Sequence, residues 1–145
     1  MIVNGDIRTF KDAETALQQS GADGVMVGRG CCGKPWFLQQ LISHLKTGSA
    51  TQEPSLKHQF EIIMRHYRDI LEYYGQRKGV SLARKHLAWY ISDHKNAAKL
   101  RAVINTLKTP DEVIAALEAF YMPLIEEEQS NSKAMKHIGS DTLAA

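Results

Sequence analysis

The sequence has only two cysteines in 145 residues, and they are the adjacent Cys31 and Cys32. Neighbouring residues do not reach the geometry of an unstrained disulfide, so both are expected as reduced thiols. No apolar run approaches the ~20 residues that a membrane-spanning helix needs, and the amino terminus lacks the basic-then-apolar pattern of a secretory signal. A cytoplasmic protein with no membrane attachment is the expectation. The six histidines include no pair at ligand spacing near a cysteine, which argues against a metal centre. Acid is scarce in one stretch: Arg77, Lys78, Arg84, Lys85, Lys95, Lys99 and Arg101 share their segment with Asp93 alone. The carboxylates gather elsewhere, notably at Asp111, Glu112 and Glu126 to Glu128. In a chain of net charge +2, such a stretch suits either a surface that faces a polyanion or a solvated helix face.

What is present is the composition of a globular protein. With 43% hydrophobic and 23% charged residues, disorder of the whole chain is excluded, and the length suits one domain or two small ones.

The first segment alternates strand and helix signals. Met1 to Val3 is a short apolar run, Asn4-Gly5-Asp6 is a turn, and Thr9 with Asp12 has the spacing of a reciprocal helix cap. Phe10, Ala13 and Leu17 share one face of the helix that follows, and Gly21 stands where a left-handed stop is wanted. Gly24 to Val27 reads as a strand of the kind a parallel sheet buries on both faces, ended by Gly28-Arg29-Gly30. Pro35 opens a further helix over Trp36 to Lys46, stopped by Gly48. Strand, helix, strand, helix is the unit of a parallel α/β fold, yet two strands do not make a stable sheet. The expectation is the last two βα units of a TIM (β/α)₈ barrel over residues 1–48, with six units missing upstream.

From Ser49 the pattern turns helical, so the fold class is α/β plus all-α. Leu56, Phe60, Ile63, Met64, Tyr67, Ile70, Leu71 and Tyr74 recur at spacings of three and four. Gly75 and Gly79 are read as bracketing a basic turn, followed by a helix from Ser81 to Ser92 and a shorter one over Ala97 to Leu107. Thr109-Pro110-Asp111-Glu112 is a capping box with proline in the first turn, and the apolar spacing continues through Leu124. A bundle of about four helices is expected over residues 49–128, with a disordered tail over 129–145.

Two glycine turns each follow a strand. In a parallel barrel the carboxyl ends of neighbouring strands lie side by side, and the loops after the last two strands commonly hold a phosphate. Glycine admits close approach to such a ligand, and the turn amides can face it. The competing reading is that these glycines only permit tight turns. Arg29 suits either a phosphate contact or a salt bridge, and Asp6 would repel a phosphate unless its backbone or a hydroxyl contact is what matters. Cys31 and Cys32 read as small packing residues of the turn. In the basic segment, Arg84, Lys85 and His86 alternate with Trp89 and Tyr90. Those rings suit either base stacking or the bundle core.

The stretch Asn4-Gly5-Asp6-Ile7, then Gly21 to Gly30, then Gly33-Lys34-Pro35-Trp36-Phe37 closely resembles the end of the barrel in bacterial tRNA-dihydrouridine synthases. Ala83 to Tyr90 resembles the signature helix of that family's carboxyl-terminal domain, particularly in the B-type, nitrogen-regulation-like subgroup, and Leu117 to Tyr121 fits its final helix. The resemblance implies an FMN enzyme that reduces tRNA uridine to 5,6-dihydrouridine, with NADPH recharging the flavin. It places Asn4, Gly5, Asp6, Gly28 and Arg29 at the FMN phosphate, and Arg84, Lys85 and His86 against tRNA. Lys78 extends that basic surface, and His94 and Lys95 are weaker candidates on the following turn. The family's proton-donating cysteine lies on an earlier barrel loop, so no catalytic residue is expected among these residues, and the isolated chain is expected to be inactive. Two alternatives stay open: an autonomous RNA-binding helical module, and a fragment of a different FMN-dependent barrel oxidoreductase. A monomer is expected.

Overall fold

Local capping fixes the first helix before any packing is considered. The Thr9 hydroxyl accepts from the Asp12 amide at 3.1 Å, while the Asp12 carboxylate accepts from the amides of Thr9 and Arg8 at 2.8 and 3.0 Å. This satisfies orphan donors at the start of α1 (Phe10–Ser20), which Gly21 stops at φ 63°. The computed structural model describes residues 1–141, with side chains described as far as Lys133.

Helix α1 connects β1 (Ile2–Asn4) to β2 (Gly24–Met26), and the two strands pair in parallel with Ile2 opposite Gly24, Val3 opposite Val25 and Asn4 opposite Met26. A short 3-10 turn (Arg29–Cys31) leads to α2 (Phe37–Thr47), which Gly48 ends in the left-handed region. Ile7, Ala13, Phe37 and Leu41 form the core here, with Phe10 stacked between Phe37 and His44. The expectation that β2 is buried on both faces is not met within this chain. Met26 is 56% exposed and Ile2 60%, because a two-stranded sheet has nothing to lay over its second face.

The remaining residues are helical: α3 (Leu56–Tyr74), α4 (Gln76–Tyr90), α5 (Ala97–Thr106) and α6 (Pro110–Asp141). The basic turn expected between Gly75 and Gly79 is instead the first turn of α4. Gly75 alone breaks the chain, at φ 77°, and Gly79 serves a packing purpose, since a β-carbon there would come within 3.0 Å of Leu71. Tyr74, placed on the apolar stripe by its spacing, is 45% exposed. Helix α6 begins at the expected box, with Glu112 Oε2 accepting from the Thr109 amide at 3.0 Å. It does not stop at Glu128. Glu128 receives the Leu56 amide at 3.0 Å and so caps α3, and α6 continues to Asp141, whereas the composition leads to an expectation of disorder from residue 129. Residues 142–145 of that expected tail lie outside the described residues.

The chain packs as two compact units. One comprises Met1–Pro54 with Lys85–His94, the other Ser55–Arg84 with the chain from Lys95 onward. The end of α4, from Lys85, packs within the first unit. Gly33 shows why: at φ 79°, it approaches so closely that a β-carbon would lie 2.4 Å from the Trp89 carbonyl oxygen. Lys34 adds an ion pair to Asp93 at 2.8 Å.

Candidate functional site

Because β1 and β2 run parallel and in register, the turns that leave them emerge side by side. The second turn packs backbone to backbone on the first: a β-carbon at Gly30 would lie 2.2 Å from the Ile7 carbonyl oxygen and 3.3 Å from the Arg8 α-carbon. Only glycine allows that approach. Charge joins the same corners. Arg29 Nη2 reaches Asp6 Oδ1 at 3.1 Å, and Arg8 donates to Asp6 through Nε and Nη2, each at 3.1 Å. The Arg8 hydrogen bond, opposed by desolvation and reinforced by the charges of Arg29 and Arg8, holds the Asp6 carboxyl below the usual carboxylate range. The Asp6 carboxylate is thus shared by two guanidinium groups, and Asp12 stands against the Arg8 amide at 3.0 Å. Beside these groups, Gly5 and Gly28 face open space, with nothing within 4 Å of where a β-carbon would stand.

The site residues expected on the first strand turn, Asn4, Gly5 and Asp6, are thus brought together with Gly28 and Arg29. Arg29 makes the salt-bridge contact that was one of its two readings, with its side chain 74% exposed. Arg8 went unnoticed in the sequence, although its position two residues after Asp6 on the same turn was the available signal. Cys31 packs against the small core, and burial, followed by the neighbouring Cys32, pushes its thiol up. That environment suits a packing thiol better than a nucleophile.

On α4, Val80, Ala83 and Leu87 are buried, while Lys78, Leu82, Lys85 and Trp89 line the solvent side at helical spacing. Lys85 Nζ lies 5.7 Å from the Trp89 ring centroid, and His86 meets the same ring edge-on at 5.2 Å. Trp89 is 39% exposed, so it belongs neither wholly to a core nor wholly to solvent. Tyr90 is half-buried, and burial raises its hydroxyl pKa. Arg84 has a different setting: it donates to the Leu107 carbonyl at 3.0 Å, closing the end of α5, and its Nε is buried without a hydrogen-bond partner. Lys95 is exposed just before α5. Among the described residues no cluster of three or more His, Cys, Asp or Glu side chains could hold a metal, and no helix is long and apolar enough to cross a membrane.

Comparison with known proteins bears on both the corners and the bundle. The family profile described as dihydrouridine synthase matches residues 1–127. The chain belongs to the dihydrouridine synthase family. It is 46% identical over 126 residues to a probable tRNA-dihydrouridine synthase of Rickettsia conorii, a match covering 87% of this chain and 38% of that protein. It is also 38% identical over 125 residues to tRNA-dihydrouridine synthase B of Xanthomonas axonopodis pv. citri, covering 86% of this chain and 38% of the relative. The same-named protein of Vibrio cholerae is 33% identical over 121 residues. The chain therefore spans about two fifths of the length of the curated dihydrouridine synthases that it matches. Family membership sets aside a barrel oxidoreductase of an unrelated family.

Proposed function

We propose that this chain is the carboxyl-terminal part of a tRNA-dihydrouridine synthase, an FMN-dependent oxidoreductase that reduces tRNA uridine to 5,6-dihydrouridine with NADPH as reductant. The observation that carries the reading is the union of the two glycine corners through Gly30 and the Asp6–Arg29 pair. FMN, when bound, supplies the hydride for the C5–C6 bond. The residues present fit its phosphate end. Gly5 and Gly28 leave room for a ligand against the backbone, and Arg29 stands at the corner with its side chain largely exposed. Asn4, Gly5 and Gly28 would line the phosphate with backbone and amide groups, and Arg29 would meet it with the donors left after its bond to Asp6. Asp6 then acts on Arg29 and Arg8, steering guanidinium groups rather than touching the anion.

In this reading β1 and β2 are the last two strands of a (β/α)₈ barrel. The exposed Ile2 and Met26 are positions that preceding βα units would cover. The catalytic acid belongs to those earlier units. On α4, Lys85, His86 and Lys78, together with Lys95, would neutralise tRNA phosphates, since cations dominate affinity through counterion release. Arg84 would combine such a contact with its hold on the end of α5. A cytoplasmic, monomeric enzyme is the corresponding state.

The bundle has its own apolar core around Ile63, Tyr67, Leu117 and Tyr121, which supports one second reading, an RNA-binding module that acts without flavin. Flavin content separates the two. The polypeptide extended through its upstream coding sequence should purify yellow and reduce uridine in a tRNA transcript, whereas residues 1–145 alone should hold no flavin tightly. A colourless extended protein that refuses added FMN would overturn the enzymatic reading. Lys85→Glu should then weaken tRNA binding and flatten its salt dependence without disturbing α5.

A further inference from the structure

Tyr73 is the most exposed large apolar side chain among the described residues, at 81%. A ring so placed contributes little to packing, yet it is not left to move freely. It meets Tyr74 edge-on, with centroids 4.7 Å apart and planes at 76°. Tyr74 in turn carries Lys78 Nζ 5.6 Å from its centroid. The corner geometry produces this cluster. Gly75, at φ 77° and ψ 160°, adopts a backbone conformation essentially reserved for glycine. It ends α3 and lets α4 begin at the next residue. The last turn of α3, with its two rings, is thereby set against the first turn of α4, where Arg77 and Lys78 are exposed.

We infer that the corner between α3 and α4 is a stacking subsite for an unpaired RNA nucleotide, with Tyr73 as the platform and Arg77 and Lys78 as partners of the adjoining phosphates. This subsite presupposes the tRNA-handling function proposed above and adds a place on the bundle outside the Arg84 to Tyr90 helix motif. A flat ring stacks on any base, and a cation one turn away holds the backbone that carries it. A docking site for an apolar protein surface would call for aliphatic neighbours. Here the exposed neighbours are polar, Asp69 and Glu72 on α3 and Gln76, Arg77 and Lys78 on α4, and the two cations stand together on the first turn of α4.

The test compares a single-stranded uridine-rich RNA oligonucleotide with a blunt RNA duplex of equal length, each titrated against the full 145-residue chain. Tyr73→Ala should lower affinity for the single strand about tenfold and leave the duplex unchanged. Tyr73→Phe should retain single-strand affinity, because it keeps the ring. Because Tyr73 is exposed, unaltered helical circular dichroism is expected for both variants. Arg77→Gln with Lys78→Gln should weaken both probes and reduce the salt slope. Equal single-strand affinity of Tyr73→Ala and the parent chain would overturn the subsite, as would equal losses on both probes. Either result leaves tRNA binding itself standing. A parent chain that binds neither RNA at low salt would overturn the subsite and the tRNA reading together.

Discussion

The two units of the chain differ in how far each covers its own apolar surface. The helical unit encloses Ile63, Tyr67, Val113, Leu117 and Tyr121 almost completely, whereas the unit holding the glycine corners leaves Ile2, Met26, Leu38, Ile42 and Leu45 open. Helices close on one another with side chains from all sides. Two parallel strands with two helices do not, because a sheet has two faces and two edges to satisfy. The helical unit thus closes a core of its own while leaving Tyr73, Tyr74, Val103 and Met122 at its surface, and the unit built around the corners is organised at its rim yet uncovered on its strands.

The largest expected effect falls on the helical unit. Leu117 has no exposed surface, so Leu117→Ala should cost about 3 kcal/mol through lost burial and a cavity. Urea unfolding followed by helical circular dichroism measures this, and a loss below about 1 kcal/mol would show that the bundle is loosely packed. Gly30→Ala should come next, at about 2 kcal/mol, because its methyl group would drive into the Ile7 carbonyl. Amide hydrogen exchange should accelerate across residues 1–54 and stay unchanged in α6. Acceleration in both units would mean that they unfold together.

Tyr67 sharpens the comparison from inside the bundle. Its hydroxyl is buried without a hydrogen-bond partner, so Tyr67→Phe should be neutral or stabilise by up to about 1 kcal/mol. Burial, with the Asp111 charge behind it, pushes its pKa from 10.0 up to about 12. The folded state therefore keeps a proton that the unfolded state loses, and bundle stability should fall as pH rises from 10.0 towards 12. Tyr67→Phe should flatten that decline in a thermal-melt series. The smallest effect belongs to Glu112, which backbone hydrogen bonds from Thr109 and Lys108 hold below its ordinary 4.5. Its contribution is present above that value and lost as pH falls through the lowered one, and Glu112→Gln should remove this acid dependence. Asp12, lowered by the Arg8 backbone bond and by Thr9, should behave alike at the start of α1.

Features set by neighbours in sequence were legible before the structure. Both capping boxes and the stops at Gly21 and Gly48 depend on residues a few positions apart. Features set by distant contacts were not. Gly79 read as punctuation because its purpose, room for Leu71, lies on another helix. Tyr74 kept the apolar rhythm of α3 while the helix ended beneath it. Glu128 read as the end of order until the Leu56 amide was found against it. At the site, the strand order implied by the βαβ pattern placed the corners side by side, but the way that Asp6 divides itself between Arg8 and Arg29 is a matter of side-chain geometry.

The central claim is that two glycine corners form one anion-holding rim, and a flavin with and without its phosphate tests it most directly. The full-length polypeptide containing this chain should bind FMN more tightly than riboflavin, and Arg29→Ala should narrow that preference. Equal affinity for the two flavins, or a preference untouched by Arg29→Ala, would contradict it.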